Sequence, residues 1–317
     1  MKKKLLSVGL SLLASAATPA EPDDGVHTIV DDGWATTQGH RFSGRVTEGH
    51  RPAANGGGKR SSLYRTTRLL LTGGEPGRVT WSAGTLSWQT RTDARGYWEL
   101  RASHPLEATA LAAGWHDIDS VPPPSSKASL LVHDPRNTQG LISDIDDTIL
   151  VTQVNSRRRL LRNSLTLPPE SRVAVAGMAE AYKRLLQANP NPAATPMFYV
   201  SASPRQLTDS VRRFLVHNGF PRGVLQLKEV NSDHADPLTD QKAYKLGRIQ
   251  SILQAFPGVR FVLMGDDGEK DPEIFDELRR QHPGQVGQIW IRRVNPDPGR
   301  PRWPDQRDMS ELLTTPP

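Results

Sequence analysis

Cysteine is absent from the chain of 317 residues. Its absence excludes disulfide bonds, thiolate metal sites and a cysteine nucleophile, although it does not decide the compartment. Zinc-ligand patterns and aromatic–basic repeats are missing too, as is any helix with a run of phosphate-contacting side chains. The formal net charge of +6 is therefore a weak indication of nucleic-acid binding. No internal repeat is present.

Long hydrophobic runs are also missing, and the one at the N-terminus is short. Three lysines at positions 2–4 precede an uncharged stretch, residues 5–17, which is too short to span a bilayer as a permanent anchor. Residues 1–20 therefore predict a signal peptide, cleaved after 14–16 or 18–20, and export to the periplasm. The alternative is a cytoplasmic protein whose basic start touches the membrane. Removing residues 1–20 takes away three lysines and no acid, which lowers the net charge from +6 to +3.

The length of the chain allows two domains, and a proline-rich stretch at 121–126 marks the break. Residues 27–121 predict a small all-β, sandwich-like domain, because apolar residues alternate along them. We expect residues 122–139 to be a linker and residues 140–317 to form the second domain. The alternating positions are Phe42, Gly44 and Val46; Val79 and Trp81; Leu86, Trp88 and Thr90; Trp98 and Leu100.

The predicted β domain shows no cluster of catalytic residues. Residues 92–96 predict a hairpin turn, and the glycine-rich stretch 51–62 predicts a mobile loop. The tryptophans are interpreted as core rather than as a ligand platform, because they follow the alternation. The sequence does not indicate whether this domain binds lipid, protein or only its neighbour.

Two acids at the predicted end of a strand carry the main chemical signal of the chain. Asp144 and Asp146 follow the apolar run 141–142, and the sharp turn beyond a strand lets both converge on one Mg²⁺ and one phosphate. One carboxylate can attack phosphorus to give an aspartyl-phosphate, while the other protonates the leaving oxygen and later activates water. An Asx turn or a surface loop is the alternative. A helix-loop-helix calcium site is excluded, because Ile149 and Asn155 stand where it needs Gly and Glu.

Three later segments place polar or charged side chains where a phosphate site would need them. Residues 198–201 predict a strand that ends in a hydroxyl, Lys245 opens an apolar-periodic helix, and residues 261–267 predict a strand that ends in acids. Strand and helix alternate throughout, which favours a parallel sheet covered on both faces, with its site at the carboxyl ends of the strands. The other predicted elements are helices at 178–186, around 207–215 and around 274–278, and a late strand at 286–291.

The region from about Gly140 onward resembles the haloacid dehalogenase superfamily and, within it, the Mg²⁺-dependent phosphatidate phosphatases of the yeast actin-patch type. Four strings carry the resemblance in the family's order: SDIDDTI, FYVSASP, the Lys245 helix ending in Ala255-Phe256-Pro257, and MGDDGEKDPEIF. The resemblance implies an α/β fold class, with a Rossmann-like phosphatase domain that follows the β domain in the sequence, and Mg²⁺ as cofactor.

The resemblance also implies a role for each matching residue. Asp144 would be the nucleophile and Asp146 the acid/base, with Thr148 bracing the acid/base loop. Ser201 would hydrogen-bond a phosphoryl oxygen that is not transferred, and Lys245 would neutralise the negative charge gathered there. Mg²⁺ would be held by Asp144, Asp146, Asp266 and Asp271.

Three of these assignments have alternatives in the sequence itself. Ser203 precedes a proline and fits the N-cap of the next helix, which favours Ser201 for the phosphate contact. Asp271 also precedes a proline, so it fits a helix N-cap as well as support for the metal or its waters. Lys242 is the nearby alternative to Lys245, which has the family's spacing.

Other features bear on the substrate. Only about fifty residues separate the first two motifs, which leaves little for a separate cap domain, and an open site suits a substrate held in a bilayer. The basic run 157–162 is predicted either to lie on anionic lipid or to be a solvated loop. Ala202, Arg205 and Asp267 depart from the family's usual residues, and Arg205 is expected to place a fixed charge near the mouth of the site.

Together the residues and the resemblance predict a magnesium-dependent phosphatidate phosphatase acting on a phospholipid at a membrane surface. The alternatives are the same chemistry on a soluble phosphate ester, and an inactive module that binds lipid or the cell envelope. No nucleic-acid partner is expected, and the sequence indicates no protein partner.

Overall fold

The computed structural model describes residues 26–48, 74, 76–106, 111–124, 127–151, 172–229, 240–294 and 299–314. The predicted signal peptide, the glycine-rich stretch 51–62 and the basic run 157–162 lie outside the described residues. Among those described, eight β-strands form an N-terminal β region, and six strands with five α-helices follow. Among the described helices, none combines the length and the apolar character that a membrane span requires.

The eight strands of the N-terminal β region are hydrogen-bonded in the order β1-β3-β2-β8-β7-β4-β5, with β6 paired to β3. Buried and less buried residues alternate along β4, as the sequence predicts. Trp81 and Trp98 are buried beside Phe42, which confirms their assignment to the core. The strands are β1 Val26–Val30, β2 Gly33–Thr36, β3 Gly39–Glu48, β4 Arg78–Ala83, β5 Leu86–Arg91, β6 Tyr97–Ala102, β7 Gly114–Val121 and β8 Ala128–Val132.

The predicted hairpin at residues 92–96 is wrong in its pairing. A turn is present, because Asp93 accepts hydrogen bonds from the backbone N–H of Arg95 and Tyr97. The strands on either side separate, however, since β5 pairs with β4 and β6 pairs with β3. A hairpin with a two-residue turn instead joins β4 to β5, where Gly84 has a positive φ of 56°.

The segment predicted as a linker holds a strand of the β region. Within residues 122–139, β8 pairs with both β2 and β7. Four of its five residues are buried, so this segment belongs to the core of the β region. The structure thus extends this region to Val132.

The C-terminal region is a six-stranded sheet in the order β11-β10-β9-β12-β13-β14. All its described pairings are parallel, which confirms the parallel sheet predicted from the sequence. The strands are β9 Gln139–Ser143, β10 Met197–Pro204, β11 Val224–Lys228, β12 Arg260–Asp266, β13 Val286–Arg292 and β14 Gln306–Asp308. The helices are α1 Met178–Leu186, α2 Thr208–His217, α3 Gln241–Ala255, α4 Asp271–Gln281 and α5 Met309–Thr314, with short 3₁₀ helices at Pro192–Ala194 and Arg205–Leu207.

The sheet has an apolar core on each face. Leu141 packs into one core with Tyr182 of α1, whereas its neighbour Ile142 packs into the other with Ile249 of α3. Successive residues of a strand point to opposite faces, so a strand buried on both faces reads as a continuous apolar run. Residues 141–142 show this pattern, from which the sequence predicts the strand.

The two regions share part of one core. Trp34 of β2 and Leu131 of β8 lie in the same buried cluster as Ile142 and Phe198. The rings of Trp34 and Phe198 meet edge to face with their centroids 5.6 Å apart. The β region is therefore packed directly against β10, a strand that leads into the candidate site.

Candidate active site

Three carboxylates meet at the carboxyl ends of β9 and β12. Asp144 follows β9, Asp266 ends β12, and Asp271 is the first residue of α4. Because the two strands are parallel neighbours, these residues reach the same edge of the sheet, and the N–H of Asp144 donates to the carbonyl of Met264. One oxygen from each carboxylate lies within 4.8 Å of the others, and all three residues are buried.

Lys245 of α3 is inserted among these acids. Its Nζ lies 2.8 Å from Asp144 Oδ1, 2.7 Å from Asp271 Oδ1 and 3.3 Å from Glu269 Oε2. Only 3% of its side chain is exposed, which is rare for a lysine unless it is paired. Lys242, the sequence alternative, pairs with Glu277 at the surface instead. Lys245 is thus the lysine that the fold brings to the predicted site.

Thr148 contacts a different acid from the one expected. Its hydroxyl donates to Asp144 Oδ2 at 3.0 Å and lies 3.4 Å from Asp266 Oδ2, so it braces the nucleophile candidate rather than the loop of Asp146. The turn that brings it there includes Asp147, whose φ of 57° is unusual for a residue other than glycine. The carbonyl of Asp147 accepts a hydrogen bond from Arg292 Nη1 at 2.5 Å.

Asp146 is held by two serines of β10. Ser201 Oγ and Ser203 Oγ donate to the same oxygen, Asp146 Oδ2, at 3.0 and 2.9 Å. The expectation that Ser203 caps a helix is wrong, because α2 begins five residues later and has no side-chain cap. The pairing of β10 with β11 shifts register between Ser201 and Pro204, and such bulges re-aim side chains next to active sites.

Asp271 does not cap its helix either. It is the first helical residue of α4, after Lys270, and its carboxylate binds Lys245 instead of a backbone N–H of the first turn. Gly265 makes room for it, since a Cβ at that position would lie 2.6 Å from Asp271 Oδ2. The cap expected from the Asp-Pro pair is therefore absent, and Asp271 lies beside Asp144 and Asp266. Its support of a metal stays a prediction.

Glu269 is a site residue that the sequence reasoning missed. It is the third acid in contact with Lys245 and is more exposed than the other two. Its position depends on the turn after β12, where Arg300 donates to the carbonyls of Asp267 and Glu269 and pairs with Glu273 at 2.6 Å. No spacing rule predicts the contact of Glu269 with Lys245, although Glu269 stands inside the string MGDDGEKDPEIF.

Arg205 does not lie at an open mouth. Only 3% of its side chain is exposed, and it pairs with Asp31 of the β region at 3.0 Å and with Glu229 at 3.0 Å. The expectation that it places a fixed charge near the mouth of the site is therefore wrong. It is an ion-pair partner in the contact between the two regions.

Burial dominates the electrostatics of the site. It raises the pKa of Asp144 and of Asp266 well above the usual range, and the neighbouring carboxylates raise both further, although Lys245 opposes the shift. Burial likewise raises the pKa of Asp271 and Asp146. Burial lowers the pKa of Lys245, but Asp144 and Asp271 outweigh it and keep that pKa well above its usual range.

The donor set fits a hard divalent cation. Three buried carboxylates face a single ammonium group, so the ionised cluster has an excess of negative charge that a cation would neutralise. Carboxylate oxygens are the ligands that Mg²⁺ prefers. Asp146, the fourth predicted ligand, lies outside this group of three, with its carboxylate turned to the serines. Its part in metal binding stays a prediction.

These pKa shifts predict a stability that depends on pH and on metal. Since the folded-state pKa of Asp144 is raised, its protonated form stabilises the fold below pH about 4, and this contribution is lost as pH rises through the folded-state value. We expect the melting temperature in a chelating buffer to fall between pH 5 and 8, and Mg²⁺ at 100 times its Kd to add about 2.7 kcal/mol.

Calorimetry at several pH values checks this expectation. The Asp144→Asn variant is the matched control, because it removes one titrating group and should flatten the dependence on pH. A melting temperature that neither falls with pH nor responds to Mg²⁺ would contradict the assignment.

Comparison with known proteins places this site inside a matched segment. Residues 139–293 match the family model of the Phosphatidate phosphatase APP1 catalytic domain, and this segment contains all seven predicted site residues. Over 154 residues, 48% of this chain, the sequence is 34% identical to Phosphatidate phosphatase APP1 of Saccharomyces cerevisiae and covers 25% of that protein. An uncharacterised protein of Schizosaccharomyces pombe is 26% identical over 163 residues, which are 51% of this chain and 26% of the relative.

The chain therefore spans about a quarter of the length of these curated relatives. Among solved structures, that of the Pnkp1/Rnl/Hen1 complex has a TM-score of 0.36 at 14% identity, over 62% of this chain and 54% of the other.

Proposed function

We propose that this protein is a magnesium-dependent phosphatidate phosphatase that releases diacylglycerol and phosphate through a phosphorylated Asp144. One observation carries the proposal: Asp144 is bonded to Lys245 and Thr148, while Asp146, two positions on, is held by Ser201 and Ser203. The match of residues 139–293 to a phosphatidate phosphatase catalytic domain supports the same assignment.

The first step is attack of the Asp144 carboxylate on phosphorus. A bond forms between an Asp144 oxygen and phosphorus, and the bond from phosphorus to the diacylglycerol oxygen breaks. Lys245 and Thr148 fix the two carboxylate oxygens separately, at 2.8 and 3.0 Å, which orients the nucleophile. The ammonium group also offsets negative charge as the phosphoryl group is transferred.

Asp146 transfers protons in both steps of the reaction. Burial raises the pKa of Asp146, so its acid form can donate a proton to the departing diacylglycerol oxygen. The resulting carboxylate then takes a proton from the water that attacks the phosphorylated Asp144. That attack releases phosphate, restores the Asp144 carboxylate and returns the proton to Asp146.

Mg²⁺ held by Asp144, Asp266 and Asp271 would supply positive charge for the transferring phosphoryl group. Lys245 alone leaves this cluster with an excess of acids. A metal supported by two strand ends and a helix start would keep a fixed position relative to Asp144.

The substrate distinguishes this proposal from its alternative, the same chemistry on a soluble phosphate ester. We expect Mg²⁺-dependent phosphate release from phosphatidate in mixed micelles to exceed that from a soluble aryl phosphate at matched concentrations. Phosphate release in a chelating buffer is the control for the metal. Release from the aryl phosphate alone would retain the chemistry and discard the lipid, and release from neither would favour a binding module.

The cellular location and the membrane contact are part of the same proposal. Export through residues 1–20 would place the enzyme at the outer face of a membrane, and the basic run 157–162 would meet anionic lipid.

A further inference from the structure

The serines that hold Asp146 stand on a stretch of β10 with little support from the sheet. Ser201 pairs with Leu227 of β11, and the next pair is Pro204 with Lys228, so two residues of β10 have no place in the ladder. Ser203 is one of these two. The N–H of Ser203 donates to Ser201 Oγ at 3.0 Å, which links the two serines to each other. Contacts outside the ladder therefore help to hold this bulge in place.

The residue that follows this stretch is anchored in the β region. Arg205, two positions after Ser203, pairs at 3.0 Å with Asp31, which lies between β1 and β2. Both side chains are only 3% exposed, and the Arg205 guanidinium also lies 5.5 Å from the ring centre of Tyr97. Asp31 is itself fixed by Ser43 Oγ, which donates to it at 2.6 Å. Removing one partner of such a buried ion pair is strongly destabilising, because it leaves the other charge buried without compensation.

We propose that Asp31 is a positioning residue of the active site, which acts through Arg205 to hold Ser201 and Ser203 on Asp146. The N-terminal β region then supplies part of the machinery that presents the acid/base. This inference rests on the proposed function, because it takes Asp146 to be the group that protonates the leaving oxygen.

The adjacent acid offers a matched control. Asp32 pairs with Arg212 of α2 at 3.1 Å and accepts a hydrogen bond from the N–H of Ser129 at 2.9 Å. The Asp31→Asn and Asp32→Asn variants each remove one negative charge, at neighbouring positions of one loop and opposite an arginine. Of these two aspartates, Asp31 faces the arginine that follows the serines along the chain.

The experiment compares kcat/KM of the full chain on two substrates with different leaving groups. Phosphatidate releases an alkoxide that needs a proton, whereas an aryl phosphate releases a stable anion that needs little help from an acid. We expect Asp31→Asn to lower kcat/KM about 10- to 100-fold on phosphatidate and much less on the aryl phosphate. Asp32→Asn should match wild type on both. An equal loss on both substrates, or no loss, would overturn the inference.

Hydrogen exchange of the backbone amides at residues 201–207 provides a readout that does not need activity. We expect faster exchange there in Asp31→Asn but not in Asp32→Asn. If the wild-type chain hydrolyses neither substrate, the proposed function fails, and unchanged exchange would then overturn the positioning of the serines as well. If Asp31→Asn does not fold, Arg205→Lys tests the same contact, because it keeps the charge and loses the planar fork.

Discussion

Asp144→Asn is expected to abolish phosphate release, with a loss of at least about 10⁴-fold, and to leave the fold intact. An amide cannot attack phosphorus, so no phosphorylated enzyme forms. The fold should tolerate the change because an amide oxygen can still accept the hydrogen bond from Thr148, and Lys245 keeps Asp271. Burial penalises the charged form of Asp144 and so raises its pKa, and replacing the carboxylate by a neutral amide removes that desolvation penalty from the fold.

Steady-state turnover and the melting temperature, measured together at pH 7, decide this prediction. The matched control is Asp276→Asn, which makes the same chemical change on α4, where Asp276 pairs with Arg280 at the surface. It should retain full turnover. An Asp144→Asn enzyme that keeps more than about one part in 10³ of wild-type turnover would remove Asp144 from the role of nucleophile.

Lys245→Met is expected to lower both activity and stability. Its ammonium group is the cation that pairs with Asp144 and Asp271, and removing one partner of a buried ion pair costs about 3 to 5 kcal/mol. Turnover should fall about 100- to 1,000-fold, because the charge that faces the transferring phosphoryl group is lost. The loss of stability should be larger at pH 8 than at pH 5, since the uncompensated acids are ionised at the higher pH.

Denaturant unfolding at the two pH values tests the stability part of this prediction. Lys242→Met is the matched control three positions earlier on α3, where the lysine pairs with Glu277 at the surface. That variant should change neither turnover nor stability appreciably. Equal behaviour of the two variants would show that Lys245 has no special part in the site.

The sequence predicts the C-terminal region well because the signals there are local. Apolar runs bounded by turns identify the strands, and 3.6-residue periodicity identifies α1 at its observed bounds. The same periodicity identifies α3 and its end, but the helix begins at Gln241, four residues before the predicted start at Lys245. The alternation of strands with helices then leaves few topologies besides a parallel sheet, whose carboxyl edge must gather Asp144, Ser201 and Asp266.

Contacts that depend on exact backbone paths were not predictable from spacing. Ser203 and Asp271 both stand before prolines, which is typical of helix N-caps, yet each binds a site residue instead. Tertiary contacts with Asp146 and Lys245 outweigh the local preference for a cap, whose worth is typically about 1 kcal/mol. Thr148 is a similar case, because the αL turn at Asp147 directs its hydroxyl to Asp144.

The N-terminal region is harder to predict because its pairings are not local. Alternation identifies strands but not their partners, so the turn at residues 92–96 resembles a hairpin although β6 pairs with β3. The role of Arg205 is hidden for the same reason. A lone arginine in a sequence gives no sign that an aspartate 174 positions earlier will bury it.

The place of β9 between β10 and β12 delays the assembly of the candidate site while the chain is being synthesised. Ser201 meets Asp146 across 55 positions, and Thr148 meets Asp266 across 118. At 5 to 20 residues per second, a ribosome needs roughly 6 to 24 seconds to make the chain between the last two. Throughout that interval the strand that pairs with one edge of β9, β12, has not been completed, so that edge stays unpaired. The catalytic centre is closed only after the second half of the sheet has left the ribosome.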